Sequence, residues 1–464
     1  MEFRWAGITW REGALAVGCG ALGALAFPPI GLWPLSLLAA CLFLLLLRSA
    51  DTEKARNLGL AYGLTYGLGT LYWLFGIFAV MAIPLVAIFA AYFGLLGHLI
   101  ALTRSHRPIL RAALVGLFVT GIEWLRGDAW YLRFPWYTIP HALAQAPDWI
   151  APVRWLGTYG FSFLIWFLAA WGAFSNRWVW LTFLLFPLCA VFIAGDATPD
   201  RRALLIQTEE KVDMGQLVRS IYPATTNINL AVMPEYAYYA SPKGAISLRD
   251  GPAKVAQVCG CPVVFGAKED IPETDDYYNV AVVINARAEL LDTFPKQRPV
   301  PLFKDGRPGT RRPVIAIDDG VLGVGVCYDF DAPEVAGTLA SNGASVFVAP
   351  TFDAMWWGRT QHVQHELLAR LRTVENDRWM LRCASSGRSE SIDPQGKPSA
   401  KGVEIGSAGV AEVGYAHRSS FALGGRLYFL GPAAALGTLV YAVVICVGSV
   451  ARRIASRKPR SRVV

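Results

Sequence analysis

The run Val324-Gly325-Val326-Cys327-Tyr328-Asp329 puts a cysteine at the end of an apolar, β-branched stretch, directly before a turn. Asp331-Ala332-Pro333-Glu334 follows, with an N-cap residue, a proline and a first-turn acid, so a helix is expected over 333–341. A nucleophile on such a strand–turn–helix is exposed, and the backbone N–H groups after it can face a developing oxyanion. A thiol needs a base to become a thiolate, and a partly desolvated carboxylate can serve. Two other strand-like runs end in complementary groups. Val232-Met233-Pro234-Glu235 ends at a carboxylate, and Phe294-Pro295-Lys296 ends at a lysine able to stabilise a tetrahedral oxyanion. Each residue also has a plainer reading: a solvated glutamate, a surface lysine and a core cysteine.

Around these three segments β-branched runs alternate with helical stretches. Residues 203–207, 228–233, 262–266, 280–285, 314–317, 321–327, 345–349 and 380–384 read as short strands. Residues 252–258, 333–341 and 361–378 read as helices. The alternation predicts an α/β layer fold, and roughly 225 residues suffice for a sizeable core.

The flanks differ. The 464-residue chain is 54% hydrophobic and 17% charged, which excludes disorder and a fully soluble enzyme. Residues 13–47 and 57–103 carry no charge. Breaks at Phe27-Pro28-Pro29 and near Ala82-Ile83-Pro84 divide them into four spans. Further spans are expected at about 109–125, 156–174, 178–195 and 427–450. The resulting organisation is a membrane domain of seven helices over 1–195, an extracytoplasmic domain over 196–426, and an eighth helix with a basic tail over 427–464.

Orientation follows from loop charge. Arg452, Arg453, Arg457, Lys458, Arg460 and Arg462 mark the tail as cytoplasmic. Counting back leaves Arg48, Lys54, Arg56, Arg104, Arg107, Arg111 and Arg177 inside, and the turns at 27–30 and 81–84 outside without a basic residue. Net charge is +8, without a basic, aromatic-interleaved patch for nucleic acid. The eight cysteines show no disulfide or four-ligand zinc spacing.

Outside loop 126–158 contains Phe134, Trp136 and Tyr137, read either as an interfacial aromatic belt or as a wall through which lipid enters. Glu123 and Arg126 are spaced to pair on a helix end. His362 and His365 form no trusted metal pattern and read as a packed helix face. Asp275-Asp276 and Asp318-Asp319 read as turn acids.

Pro234-Glu235, then Lys296, then Cys327-Tyr328-Asp329, in this order in an α/β domain, resembles the carbon–nitrogen hydrolase (nitrilase) superfamily. With seven spans before and one after, the whole chain resembles the apolipoprotein N-acyltransferase family. Ala26-Phe27-Pro28-Pro29, Glu123-Trp124-Leu125-Arg126, Phe134-Pro135-Trp136, Tyr278-Asn279, Gln364-His365 and Ala369-Arg370-Leu371-Arg372 add to the likeness.

The resemblance implies an α-β-β-α sandwich on a helical membrane bundle in the bacterial cytoplasmic membrane. It implies a phospholipid acyl donor, a diacylglyceryl-modified apolipoprotein acceptor, a cysteine thioester, and neither cofactor nor metal. Glu235 matches the general base, Lys296 the stabiliser and Cys327 the nucleophile, with the Tyr328 N–H in the oxyanion hole.

The family's Val-Pro-Phe-Gly-Glu run is here Val300-Pro301-Leu302-Phe303-Lys304-Asp305, without the glutamate. Asp305 either replaces that acid, shifted by one position, or belongs to a solvated Lys304-Asp305-Gly306 turn. A membrane-anchored amidase using water, and a non-catalytic member of the fold, are the alternative functions. Reporter fusions after Val300 and Arg460 test the topology: the first is expected outside the cytoplasm and the second inside. A cytoplasmic signal at Val300 overturns the eight-span arrangement.

Overall fold

The computed structural model describes residues 4–5, 7–193, 197–208, 227–237, 251–310, 314–317 and 320–457. Lys458 onward and Asp318-Asp319 lie outside the described residues.

The N-terminal half is helical: α1 (Trp10–Leu25), α2 (Pro34–Leu47), α3 (Thr52–Thr70), α4 (Ala82–Leu102), α5 (Pro108–Trp124) and α6 (Val153–Phe174). Thr9 and Glu12 form a reciprocal cap on α1, and Asp51 accepts from the Lys54 N–H at the start of α3. Four stretches are long and apolar enough to cross a membrane: Leu74–Leu102, Pro108–Ala129, Val153–Phe174 and Gly424–Arg452. Two expectations change. The second uncharged run breaks at 71–81 rather than at Pro84, which lies in the first turn of α4. The seventh segment is a 3₁₀ run, Arg177–Leu185, followed by short turns, and not one α-helix. Small residues let the helices approach closely: a Cβ on Gly97 of α4 would stand 2.2 Å from the Ala55 carbonyl oxygen of α3.

The second half contains two mixed sheets, each of six strands among the described residues. The first comprises β1 (Arg201–Gln207), β2 (Leu230–Val232), β3 (Val263–Asp270), β4 (Tyr277–Ile284), β5 (Leu290–Pro295) and β12 (Gly409–Tyr415), in the order β12-β1-β2-β3-β4-β5. The second comprises β6 (Ile315–Ile317), β7 (Gly320–Val324), β8 (Val346–Thr351), β9 (Trp379–Ala384), β10 (Ser389–Ile392) and β11 (Pro398–Val403), in the order β11-β10-β9-β8-β7-β6. The central strands are parallel in both: β1-β2-β3 and β7-β8-β9.

Strand alternation creates the layers. Ala203, Leu205 and Val232 face Val324, Val348 and Leu381 between the sheets. Leu204, Ile206 and Phe265 turn the other way onto α7 (Gly251–Cys259). Phe347, Ala349 and Met380 pack on α8 (Pro333–Ser341) and on Ala369 of α9 (Arg359–Asn376). The opposite side of α9, Leu367, Leu368, Leu371 and Val374, joins the core of the membrane half. One helix thus serves two cores. The chain then re-enters the membrane half as α10 (Leu430–Arg457).

Pairing directions bring the ends of β2, β5, β7 and β8 to the same side of the domain, where α/β sheets place their sites. Gly266 in β3 makes the turn after β2 possible. A Cβ there would lie 2.4 Å from Glu235 Cα and 2.6 Å from the Tyr236 nitrogen. Gly266→Ala is expected to destabilise the domain by about 1–3 kcal/mol. Thermal unfolding in detergent reads this as a lowered Tm, and an unchanged Tm contradicts the packing argument.

Candidate active site

Glu235, Lys296 and Asp305 meet in the interior. Lys296, 1% exposed, donates to Glu235 Oε1 at 2.9 Å and pairs with Asp305 Oδ2 at 2.7 Å. Asn279 on β4 donates to Glu235 Oε1 at 2.5 Å and to Asp305 Oδ1 at 2.8 Å. Tyr236 OH and the Val300 N–H complete the shell of Asp305, each at 2.7 Å. Glu235 Oε2 accepts from the Phe352 N–H, just past the end of β8, at 2.8 Å. Asp305 is therefore buried and paired with the lysine, and the solvated-turn reading is set aside.

Cys327 departs from the sequence expectation in one detail. β7 ends at Val324, and Cys327 opens a 3₁₀ turn, Cys327–Asp331, with φ 51°. A non-glycine residue in that left-handed region is strained, which suits a residue held for its side chain. Its thiol donates to the Phe352 carbonyl at 3.8 Å. The same residue therefore binds the glutamate through its N–H and the cysteine through its C=O.

Asp329, two residues on, locks this turn. Its Oδ2 accepts from the Val326 N–H at 2.9 Å, and its Oδ1 accepts from the Gln297 and Arg298 N–H groups at 2.9 and 2.8 Å. One carboxylate thus fastens the cysteine turn to the backbone beside Lys296. The sequence showed Asp329 only as the last residue of the Cys327-Tyr328-Asp329 run, without a role.

The electrostatics follow from burial. Burial pushes the Cys327 thiol well above its ordinary value; the Glu235 charge adds to this and Lys296 opposes it. Burial likewise raises Glu235, with Asp305 adding to the rise and Lys296 opposing it. Burial acts to lower Lys296, yet Asp305 and Glu235 overcome it and hold the ammonium firmly charged. Burial acts to raise Asp305, and Lys296 beside it brings it below the usual carboxylate range.

Other expected features resolve differently. Asp331 is not the cap of α8; Ala332 occupies that position without a side-chain bond. Asp331 instead accepts from Trp136 Nε1 at 2.6 Å and pairs with His365 at 3.2 Å. His365 also binds Asp353 at 2.7 Å and stacks on Trp136. Burial lowers it, but the two aspartates raise it to about 9. His362 binds the Ala354 carbonyl. Glu123 and Arg126 do not pair: Glu123 accepts from Ser162, and Arg126 donates to the Phe134 carbonyl. Asp276 pairs with Arg307 near a turn.

A half-open apolar cavity lies between the halves, with Cys327 and Tyr328 in its wall. Leu74, Phe78, Leu85 and Phe89 line it from the membrane half, and Val300, Leu302, Phe303 and Trp357 from the domain. Phe134 and Trp136 are in this wall. Tyr137 stands behind them, bonded to Gln364 and the Thr70 carbonyl and lining a second, smaller cavity. The Tyr328 hydroxyl donates to the Arg133 carbonyl at 2.8 Å.

The carbon–nitrogen hydrolase family matches residues 197–412. Fold and site together define a nitrilase-superfamily domain carried on apolar helices. The N-terminal domain family of apolipoprotein N-acyltransferase matches residues 19–171. Apolipoprotein N-acyltransferase from Pseudomonas aeruginosa (strain LESB58) is 25% identical over 453 residues, covering 84% of this chain and 87% of that protein. That from Azotobacter vinelandii is 25% identical over 465 residues, covering 84% of this chain and 86% of that protein. The chain belongs to the apolipoprotein N-acyltransferase family. Among solved structures, Saccharomyces cerevisiae Nit3, a member of branch 10 of the nitrilase superfamily, is 22% identical, covers 47% of this chain and 91% of that one, and has a TM-score of 0.38.

Acylation of Cys327 is expected to accelerate as pH rises through the deprotonation of Glu235, centred above the ordinary 4.5. Since Asp305 raises Glu235, Asp305→Asn is expected to move that limb to lower pH. Its plateau rate should fall on the order of 10- to 1000-fold, because Lys296 loses a partner that keeps it charged and aimed. Single-turnover acylation across pH tests both; an unchanged limb and plateau remove Asp305 from the chemistry.

Proposed function

We propose that this chain transfers an acyl group from a phospholipid, through a thioester on Cys327, to the N-terminal α-amine of a diacylglyceryl-cysteine lipoprotein. The observation that carries the reading is the position of Cys327: it shares Phe352 with Glu235, the partner of Lys296, and it lines an apolar cavity shared with the membrane half. A small amide needs no such cavity, whereas an acyl chain does.

Glu235 takes the thiol proton as sulfur attacks the ester carbonyl. Lys296 and the Tyr328 N–H stabilise the tetrahedral oxyanion. Collapse expels the lysophospholipid alkoxide, which takes the proton from Glu235, leaving the thioester. The neutral α-amine then attacks that carbonyl and gives a proton to Glu235. The thiolate leaves and is reprotonated, and an amide is released.

The eight-span arrangement with boundaries at 195/196 and 426/427, the extracytoplasmic domain and the cytoplasmic tail belong to the same proposal. So does the bacterial cytoplasmic membrane as location. It rests on four long apolar stretches and the loop charges.

The test is mass spectrometry of the protein after incubation with phospholipid. An acyl adduct on Cys327 is expected, discharged by a diacylglyceryl-cysteine peptide. Cys327→Ser is expected to abolish the adduct, since an alcohol is a far poorer nucleophile here; Cys259→Ser and Cys261→Ser should retain it. Lipid transfer undiminished in Cys327→Ser excludes this residue as nucleophile.

A further inference from the structure

Arg126 is a buried cation that the mechanism above does not use. It sits in the wide turn Leu125–Ala129 that ends α5 and is 6% exposed. Its Nη1 donates to the Phe134 carbonyl at 2.9 Å, and its guanidinium lies 5.3 Å from the Phe89 ring centroid. No carboxylate reaches ion-pair distance among the described residues. Glu123, one turn away, offsets part of the charge, but its own hydrogen bond goes to Ser162 at 2.6 Å. No described oxygen besides that of Phe134 takes an N–H of this guanidinium.

Arg126 also lies in the wall of both cavities, the larger of which holds Cys327. The other polar side chains of the larger wall, Tyr92, Tyr328, Gln361 and His365, supply no free cation, since His365 is held between Asp331 and Asp353. A desolvated guanidinium with open donors is costly unless an anion completes it. Its planar fork suits phosphate, and a lipid's phosphate and acyl ester are joined through one glycerol.

We infer that Arg126 binds the phosphodiester of a glycerophospholipid whose acyl ester is presented to Cys327. Arg126 is thus a substrate-positioning residue. This rests on the acyl-transfer reading and adds the feature by which the donor is recognised.

The experiment compares Cys327 acylation from phosphatidylglycerol with acylation from diacylglycerol of the same chains, in wild type, Arg126→Lys and Arg126→Gln. The readout is the ratio of the two rates. Wild type is expected to favour the phospholipid. Arg126→Gln should reduce that ratio about 10- to 100-fold, the range of a charge-assisted hydrogen bond, with Arg126→Lys between. A purely structural role, holding Phe134, would slow both donors equally and leave the ratio unchanged, which overturns the inference. Inorganic phosphate in excess is expected to leave the wild-type ratio intact; its collapse would assign the site to a free anion and overturn the lipid-borne phosphodiester. If wild-type Cys327 takes an acyl group from neither donor, the acyl-transfer reading itself fails.

Discussion

The site depends on one buried cation, Lys296, held between two carboxylates. A lysine this deep loses its hydration, and only the pairing with Glu235 and Asp305 keeps it charged. The pairing is asymmetric. Asp305 has three further donors, Tyr236, Asn279 and Val300, and stays ionised, which satisfies most of the lysine's charge. Glu235 shares what remains and is left with a raised proton affinity, which the base role proposed for it requires. Taking away either acid leaves a buried charge short of a partner, a loss of about 3–5 kcal/mol in comparable pairs.

A second constraint joins the halves. Trp136 to Asp331, Tyr137 to Gln364, Tyr328 to the Arg133 carbonyl, Arg298 to Asp128 and Arg154 to Asp377 are polar contacts across the boundary. Several are wholly buried, so an incorrect docking would leave them unsatisfied. The loop 126–158 is therefore a precise joint. Its aromatic residues resemble an interfacial belt in sequence, but Trp136 and Tyr137 are enclosed by protein.

Much of this was legible in the chain. Alternating apolar strands followed closely by Glu235, Lys296 and Cys327 marked the fold and the candidate residues, because strand runs and the side chains just after them are local properties. Asp305 was legible only as an acid one position out of register; its approach to Lys296 depends on how the loop after β5 folds back. Asp329 and Asn279 stood in the sequence only as parts of the Cys327-Tyr328-Asp329 and Tyr278-Asn279 runs, without roles, since most of their bonds reach segments 26 to 44 residues away. Asp331 looked like a helix cap because the sequence around it fits one, and a tertiary bond to Trp136 prevailed. The 3₁₀ run at 177–185 was hidden because hydropathy reports burial in lipid and not the hydrogen-bond pattern.

The wall around Cys327 also bears on timing. A thioester, the intermediate of the proposed reaction, is a link that water can cut. Here the wall around the sulfur is mostly aliphatic and aromatic, a surface that holds water poorly. On the proposed acyl-transfer reading, a loaded Cys327 would hold its acyl group between the departure of one lipid and the arrival of the acceptor. The fidelity of transfer over leakage is then set less by the reacting groups than by how well the hydrocarbon lining keeps the chamber dry.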